Sequence, residues 1–178
     1  MYKASIHIAI AVLTISIFTS SAEAIEGRLM RYPDMHGEQL VFTYEDDLWL
    51  ASIAGGLASR ITSHPGIERH ASFSPDGRWI AFTGSYDGGY DVYVIPATGG
   101  EPKRLTYHPS YDRVVGWSPD GTSILFVSRR ALYDELHAAD LSGGFPRKIP
   151  LDRVSYASLS PDGKRAAINR FNSDRMNW

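Results

Sequence analysis

Four times along the chain, three consecutive apolar residues stand shortly after a turn-forming glycine. They are Leu40-Val41-Phe42, Ile80-Ala81-Phe82, Ile124-Leu125-Phe126 and Ala166-Ala167-Ile168. A run this short, bounded by turn residues, predicts a strand buried on both faces rather than a helix. Ahead of three of the runs stand Ser74-Pro75-Asp76-Gly77, Ser118-Pro119-Asp120-Gly121 and Ser160-Pro161-Asp162-Gly163, at steps of 44 and 42 residues. Proline fixes φ, aspartate bonds its own backbone and glycine accepts positive φ, so each is a turn. A looser copy, Pro33-Asp34-Met35-His36-Gly37, predicts a further turn 42 residues before Pro75. The pairs Gly55-Gly56, Gly99-Gly100 and Gly143-Gly144 recur every 44 residues and predict hairpin turns. Asp47-Leu48, Asp91-Val92 and Glu135-Leu136 keep the same period.

Three registers on one period define a repeat with four short strands in each copy. Strands are expected at about Arg28–Arg31, Gln39–Tyr44, Leu48–Ile53 and Ser59–Ser63, then at Glu68–Phe73, Arg78–Gly84, Asp91–Ile95 and Lys103–Tyr107. The third copy gives Arg113–Trp117, Ser123–Ser128, Glu135–Ala139 and Arg147–Leu151, and the fourth Val154–Leu159 and Arg165–Phe171. Ala131–Leu141 comes nearest to a helical apolar period but contains the third acid-apolar pair, so it reads as a strand. Four strands per period of 40–45 residues is the arithmetic of an all-β β-propeller, each repeat forming one four-stranded antiparallel blade. A two-sheet sandwich is the alternative, but it requires no sequence period. The blades fall at approximately 25–66, 67–110, 111–152 and 153–178, the last truncated. About 3.5 blades are fewer than the roughly 4–8 of a closed ring, so the expectation is an incomplete propeller continuing beyond Trp178.

Residues 1–24 differ in kind. Lys3 precedes a largely apolar run from Ile6 to Phe18, and small residues end in Ala22-Glu23-Ala24. This is the pattern of a signal peptide cleaved after Ala24, and the run is shorter than the ~20 residues of a membrane anchor. The mature protein is expected to be periplasmic or secreted and free of the membrane after cleavage. A net charge of −2 gives no electrostatic case for nucleic acid. The absence of cysteine excludes disulfides, thiolate catalysis and Cys-ligated zinc.

The repeat text also carries a resemblance. Phe73-Ser74-Pro75-Asp76-Gly77-Arg78-Trp79-Ile80-Ala81-Phe82, with Asp91-Val92-Tyr93-Val94 and Arg104-Leu105-Thr106, resembles the TolB blade consensus (PD40 repeat) shared by many periplasmic propellers. The opening, Tyr32 to Phe42 followed by Tyr44-Glu45-Asp46-Asp47-Leu48-Trp49, resembles the first blade of the tricorn-type serine proteases. Leu105-Thr106-Tyr107-His108-Pro109 with Val114 to Gly121 resembles that family's next junction, and Asn177-Trp178 the start of a later motif. The resemblance implies a large exported peptidase in which two N-terminal propellers precede a PDZ-like segment and a serine-peptidase core. The propellers would gate or guide oligopeptides, and no catalytic position would fall in this stretch. Partners would be peptides or other protein segments and the rest of the same polypeptide, with room for a homo-oligomeric full-length protein. The family's arginine pair for a substrate carboxylate is not matched at Pro109-Ser110-Tyr111-Asp112-Arg113, which holds one arginine beside an acid. A stand-alone TolB-like scaffold propeller, or the propeller of a prolyl-oligopeptidase-type enzyme, would share the blade consensus but not the opening.

Local chemistry adds no catalytic centre. Gly116-Trp117-Ser118-Pro119-Asp120 fails the last position of a nucleophile elbow, and the repeat turn accounts for Ser118. Asp76, Asp120 and Asp162 recur because the turn recurs. His36, His64, His70, His108 and His137 lack H-E-x-x-H spacing, so no metal is expected, and no cofactor. Asp87-Gly88-Gly89-Tyr90-Asp91 lacks the EF-hand pattern of a calcium loop and reads as a hairpin connection, and Glu45-Asp46-Asp47 reads as a solvated turn. Propeller function sits at the channel mouth, on loops and inner strands. The loops before the inner strands therefore make His70, His108, Tyr111 and Arg113 candidate contacts for a peptide's backbone or carboxylate.

Overall fold

The apolar triplets lie on second strands, and in the second and third repeats their side chains alternate between two interblade cores. In a computed structural model, which describes residues 29–160 and 162–170, the chain forms three four-stranded antiparallel sheets and one two-stranded sheet. The first contains β1 (Arg31–His36), β2 (Gln39–Tyr44), β3 (Asp47–Ser52) and β4 (Ser59–Arg60) in chain order. The second contains β5 (Glu68–Phe73), β6 (Trp79–Gly84), β7 (Asp91–Pro96) and β8 (Lys103–Arg104). The third contains β9 (Asp112–Trp117), β10 (Ser123–Ser128), β11 (Glu135–Asp140) and β12 (Arg147–Asp152), and β13 (Val154–Leu159) pairs with β14 (Ala166–Arg170). This is the blade order of an incomplete propeller. The leader, the expected strand start at Arg28 and residues 171–178 lie outside the described residues.

Ile80 and Phe82 pack with Val41 and Leu48 of the first blade, whereas Ala81 between them joins Val114, Ile124 and Phe126 of the third. On β10 the roles alternate again: Leu125 and Val127 pack with Val154 and Ala157. β6 and β10 are thus each a wall between two cores, which is why their apolar runs are unbroken. On β14, Ala166 and Ala167 are exposed.

The Ser-Pro-Asp-Gly turns are built alike. Gly77 N–H donates to the Ser74 carbonyl at 2.9 Å, while the Ser74 hydroxyl donates to Asp76 Oδ1 and accepts the Trp79 N–H. Ser118 does the same with Asp120 and Ser123, so its hydroxyl is committed to the turn. Gly77 must be glycine for two reasons: φ is +70°, and a Cβ would lie 2.2 Å from the His36 ring of the neighbouring blade.

Two expectations are corrected. Pro33-Asp34 does not turn: β1 runs on to His36 and reverses at Gly37-Glu38, with His36 opposite Gln39. Two additional residues, Met35 and His36, separate Pro-Asp from glycine here, so no four-residue turn closes. Asp34 instead accepts the Phe73 N–H at 2.7 Å from the second blade. The fourth strands β4 and β8 are also two-residue strands rather than five. Thr62 and Thr106 end them, because their hydroxyls take the Leu48 and Val92 N–H groups at 2.8 and 2.9 Å in place of a backbone carbonyl. The third blade has Pro150 at that point, and β12 extends to Asp152.

Candidate functional site

The first strand of each sheet lies innermost, so β1, β5, β9 and β13 stand side by side along the channel wall. Each slips in register against its second strand, and the bulges re-aim side chains. Tyr32 and His70 occupy two of these irregularities with φ of +52° and +54°, a conformation costly for non-glycine residues. Their rings meet with centroids 4.2 Å apart. One strand further on, the Arg113 guanidinium lies 4.0 Å from the centre of the Tyr156 ring and donates to the Ser155 carbonyl. Tyr111, on the loop before β9, packs on Tyr90 at 4.7 Å, and Arg69 reaches over the same Tyr90 ring.

Tyr32, His70, Tyr111, Arg113 and Tyr156 line one open cavity of about 690 Å³, and Arg129 and Asp134 line it with them. Arg129 Nε donates to Asp134 at 2.9 Å. A second recess of about 270 Å³ shares Tyr32, His70 and Tyr156, so the cleft continues along the inner strands. Burial, then the Arg113 and Arg69 charges, push His70 down to about 4. The imidazole is therefore uncharged near neutral pH, and the cleft's positive charge is guanidinium. Burial also raises the Tyr111 phenol, keeping it a neutral donor.

Three of the four sequence candidates, His70, Tyr111 and Arg113, are brought together. His108 is not among the cleft's lining residues: its Nδ1 accepts the Ser110 N–H at 3.1 Å, as His64 Nδ1 accepts Gly66 N–H one repeat earlier. Sequence reasoning missed Tyr32, Tyr156, Arg69 and Arg129. Arg69 was accessible, since it precedes Arg113 by one period; Tyr32 was hidden by the misplaced first strand. The remaining sequence features have structural partners. Asp87 and Asp91 both bind Arg104, at 2.8 and 2.7 Å, and Glu45-Asp46 forms a two-residue hairpin turn with positive φ at both positions.

Comparisons with known proteins agree with this architecture. Residues 27–178 match the family described as the tricorn protease N-terminal beta propeller domain. Tricorn protease homolog 1 of Streptomyces coelicolor is 43% identical over 67 residues, covering 38% of this chain and 6% of that protein. The chain therefore spans a small part of the curated relatives it matches. The crystal structure of the tricorn protease superposes with a TM-score of 0.66 at 27% identity, covering 79% of this chain and 15% of that one. TolB from Acinetobacter baumannii gives a TM-score of 0.68 at 24% identity over 81% of this chain and 38% of that one, a likeness of fold alone. The chain belongs to the tricorn protease N-terminal beta propeller domain family.

Proposed function

We propose that this chain is a non-catalytic, peptide-handling propeller of an exported tricorn-like serine protease, gating or guiding oligopeptides past its inner strands. The observation that carries the reading is the convergence of Tyr32, His70, Arg113 and Tyr156, one from each inner strand, on a single cleft. Aromatic faces offer contact area to side chains of any sequence, and guanidinium groups offer N–H donors to peptide carbonyls and carboxylates. Arg69 supplies in space the second guanidinium that the Tyr111-Asp112-Arg113 junction lacks in sequence; both arginines act electrostatically on His70 and Tyr111. The family membership supports a protease context and protein partners, including the rest of a longer polypeptide. Export follows from the leader pattern. A stand-alone TolB-like scaffold is the weaker reading, since that likeness extends to fold only.

The test is calorimetric titration of the full chain with unstructured oligopeptides carrying free or amidated C-termini. Binding is expected, and Arg113→Gln should weaken the free-acid peptides by about tenfold, as loss of a charged hydrogen bond implies. Equal affinity of wild type and variant for every peptide would overturn the role of the cleft. Stoichiometric labelling of one serine by a serine-reactive reagent, abolished by changing that serine, would overturn the non-catalytic reading.

A further inference from the structure

The seam between the first and second blades contains a buried acid that lacks the cation found one repeat later. Glu68, the first residue of β5, is 0% exposed. Its Oε2 accepts the Thr62 hydroxyl at 2.8 Å, and its Oε1 has no hydrogen-bond partner. Asp47, the first residue of β3 in the neighbouring blade, is also buried; its Oδ2 binds Arg60 at 2.9 Å and its Oδ1 has no partner. The two carboxyls interact through their side chains. Two ionised carboxylates are acceptors only, so their facing one another in a buried space is costly. One proton between them satisfies both.

The other groups facing Glu68 do not supply a positive charge in its place. The Tyr86 phenol, beside Tyr93, interacts with the Glu68 carboxyl through its hydroxyl and favours the ionised form, but it carries no charge and burial outweighs it. The His64 ring packs tilted against Tyr86 at 4.0 Å, and Asp46 contributes its carbonyl, which accepts the Glu68 N–H at 2.8 Å. Arg60 acts on Glu68 but is bonded to Asp47, and its side chain is 46% exposed.

The second seam repeats the backbone and changes the charge. Thr43 and Thr83 hydroxyls donate to the Glu68 and Asp112 carbonyls in the same way. Forty-four residues after Glu68 stands Asp112, and forty-four after Tyr86 stands Arg130. The Arg130 guanidinium donates to Asp112 Oδ2 at 2.8 Å, with the acid fully buried. An ion pair there corresponds to an acid facing a phenol here.

We propose that Glu68 is held as the neutral carboxylic acid, sharing its proton with Asp47 across the first interblade seam, and that losing this proton loosens the seam. Burial is the main cause, raising the carboxyl to about 7. The ordinary value is 4.5, so the folded chain retains a proton that the unfolded chain has released. The stabilisation is complete below the ordinary value and declines as pH rises through about 7. His70 lies two residues further along β5, so the seam and the cleft share a strand.

The experiment is a carbon-13 titration of the Glu68 carboxyl in the full chain, with thermal unfolding followed from about pH 5 to about pH 8. Glu68 is expected to titrate near 7, and the unfolding midpoint to fall as pH rises. Glu68→Gln, which mimics the protonated form, should lose this component of the fall. Tyr86→Arg, which installs the cation of the next seam, should lower the Glu68 midpoint by at least one unit, a tenfold change in proton affinity. Titration of Glu68 near its ordinary value in the folded wild type would overturn the proposal, whether or not either variant folds.

Discussion

Trp117, on the inner strand of the third blade, donates its indole N–H to the backbone carbonyl of Ser72 on the inner strand of the second, 2.9 Å away. The ring itself belongs to the core between those blades. Trp117→Phe removes the hydrogen bond and part of the packed volume. The expected cost is about 2 kcal/mol of unfolding free energy, measured by urea denaturation. A change below about 0.5 kcal/mol would mean that the pin contributes nothing to the blade contact.

Asp34 pins the same strand from the other side through the Phe73 N–H. Asp34→Ala leaves that donor without its partner and should cost about 1–2 kcal/mol. Asp34→Asn retains a carbonyl acceptor and should cost less. Equal losses for the two variants would show that the acceptor is not what matters.

Thr106 occupies a buried junction: its hydroxyl accepts the Val92 N–H at 2.9 Å and donates to Asp91 Oδ1 at 3.1 Å. Thr106→Val preserves shape and removes both bonds, one of them to a buried acid. A loss of about 2–3 kcal/mol is expected, with Thr106→Ser recovering most of it. Thermal unfolding of the two variants distinguishes hydroxyl loss from methyl loss.

His70 should titrate near 4 in the folded chain, against an ordinary value of 6.5. Because its folded value is depressed, the unfolded chain takes up the proton first as pH falls. The associated stability is present above about 6.5 and is lost as pH drops toward about 4. Proton NMR of the imidazole gives the midpoint. Arg113→Gln should raise it by removing a neighbouring cation, while leaving the larger effect of burial. An unchanged midpoint in the variant would place Arg113 too far away to act.

Export is tested on the leader. Expressed in a Gram-negative host, the chain should be recovered from the periplasm with Ile25 at its N-terminus, as the Ala22-Glu23-Ala24 pattern specifies. Intact mass spectrometry reads this directly; folded, exported protein retaining Met1 would contradict it.

The repeat was legible because a propeller reuses one local solution. Ser-Pro-Asp-Gly closes its turn through bonds among neighbouring residues, and Ile80-Ala81-Phe82 or Ile124-Leu125-Phe126 can be apolar throughout only where both faces are covered. Such features are determined within a few residues, so strand number, blade order and most strand positions follow from the amino-acid sequence. Local rules failed where a tertiary partner competed. Pro33-Asp34 resembles a turn, yet Asp34 bonds to the next blade and the strand continues. The fourth strands shorten because the Thr62 and Thr106 hydroxyls replace backbone carbonyls.

The cleft divides in the same way. His70, Tyr111 and Arg113 were readable from their place before or on the inner strands. Tyr32, Tyr156 and Arg69 became neighbours only when the blades closed around the axis, bringing positions dozens of residues apart within ring-contact or electrostatic reach. Glu68 shows the limit most plainly. The sequence alone supplies an acid at the start of a strand and, one period later, another acid. Only the packed seam decides that Asp112 meets a guanidinium while Glu68 meets a phenol and a second carboxyl, because burial and the identity of the facing group belong to the space between blades.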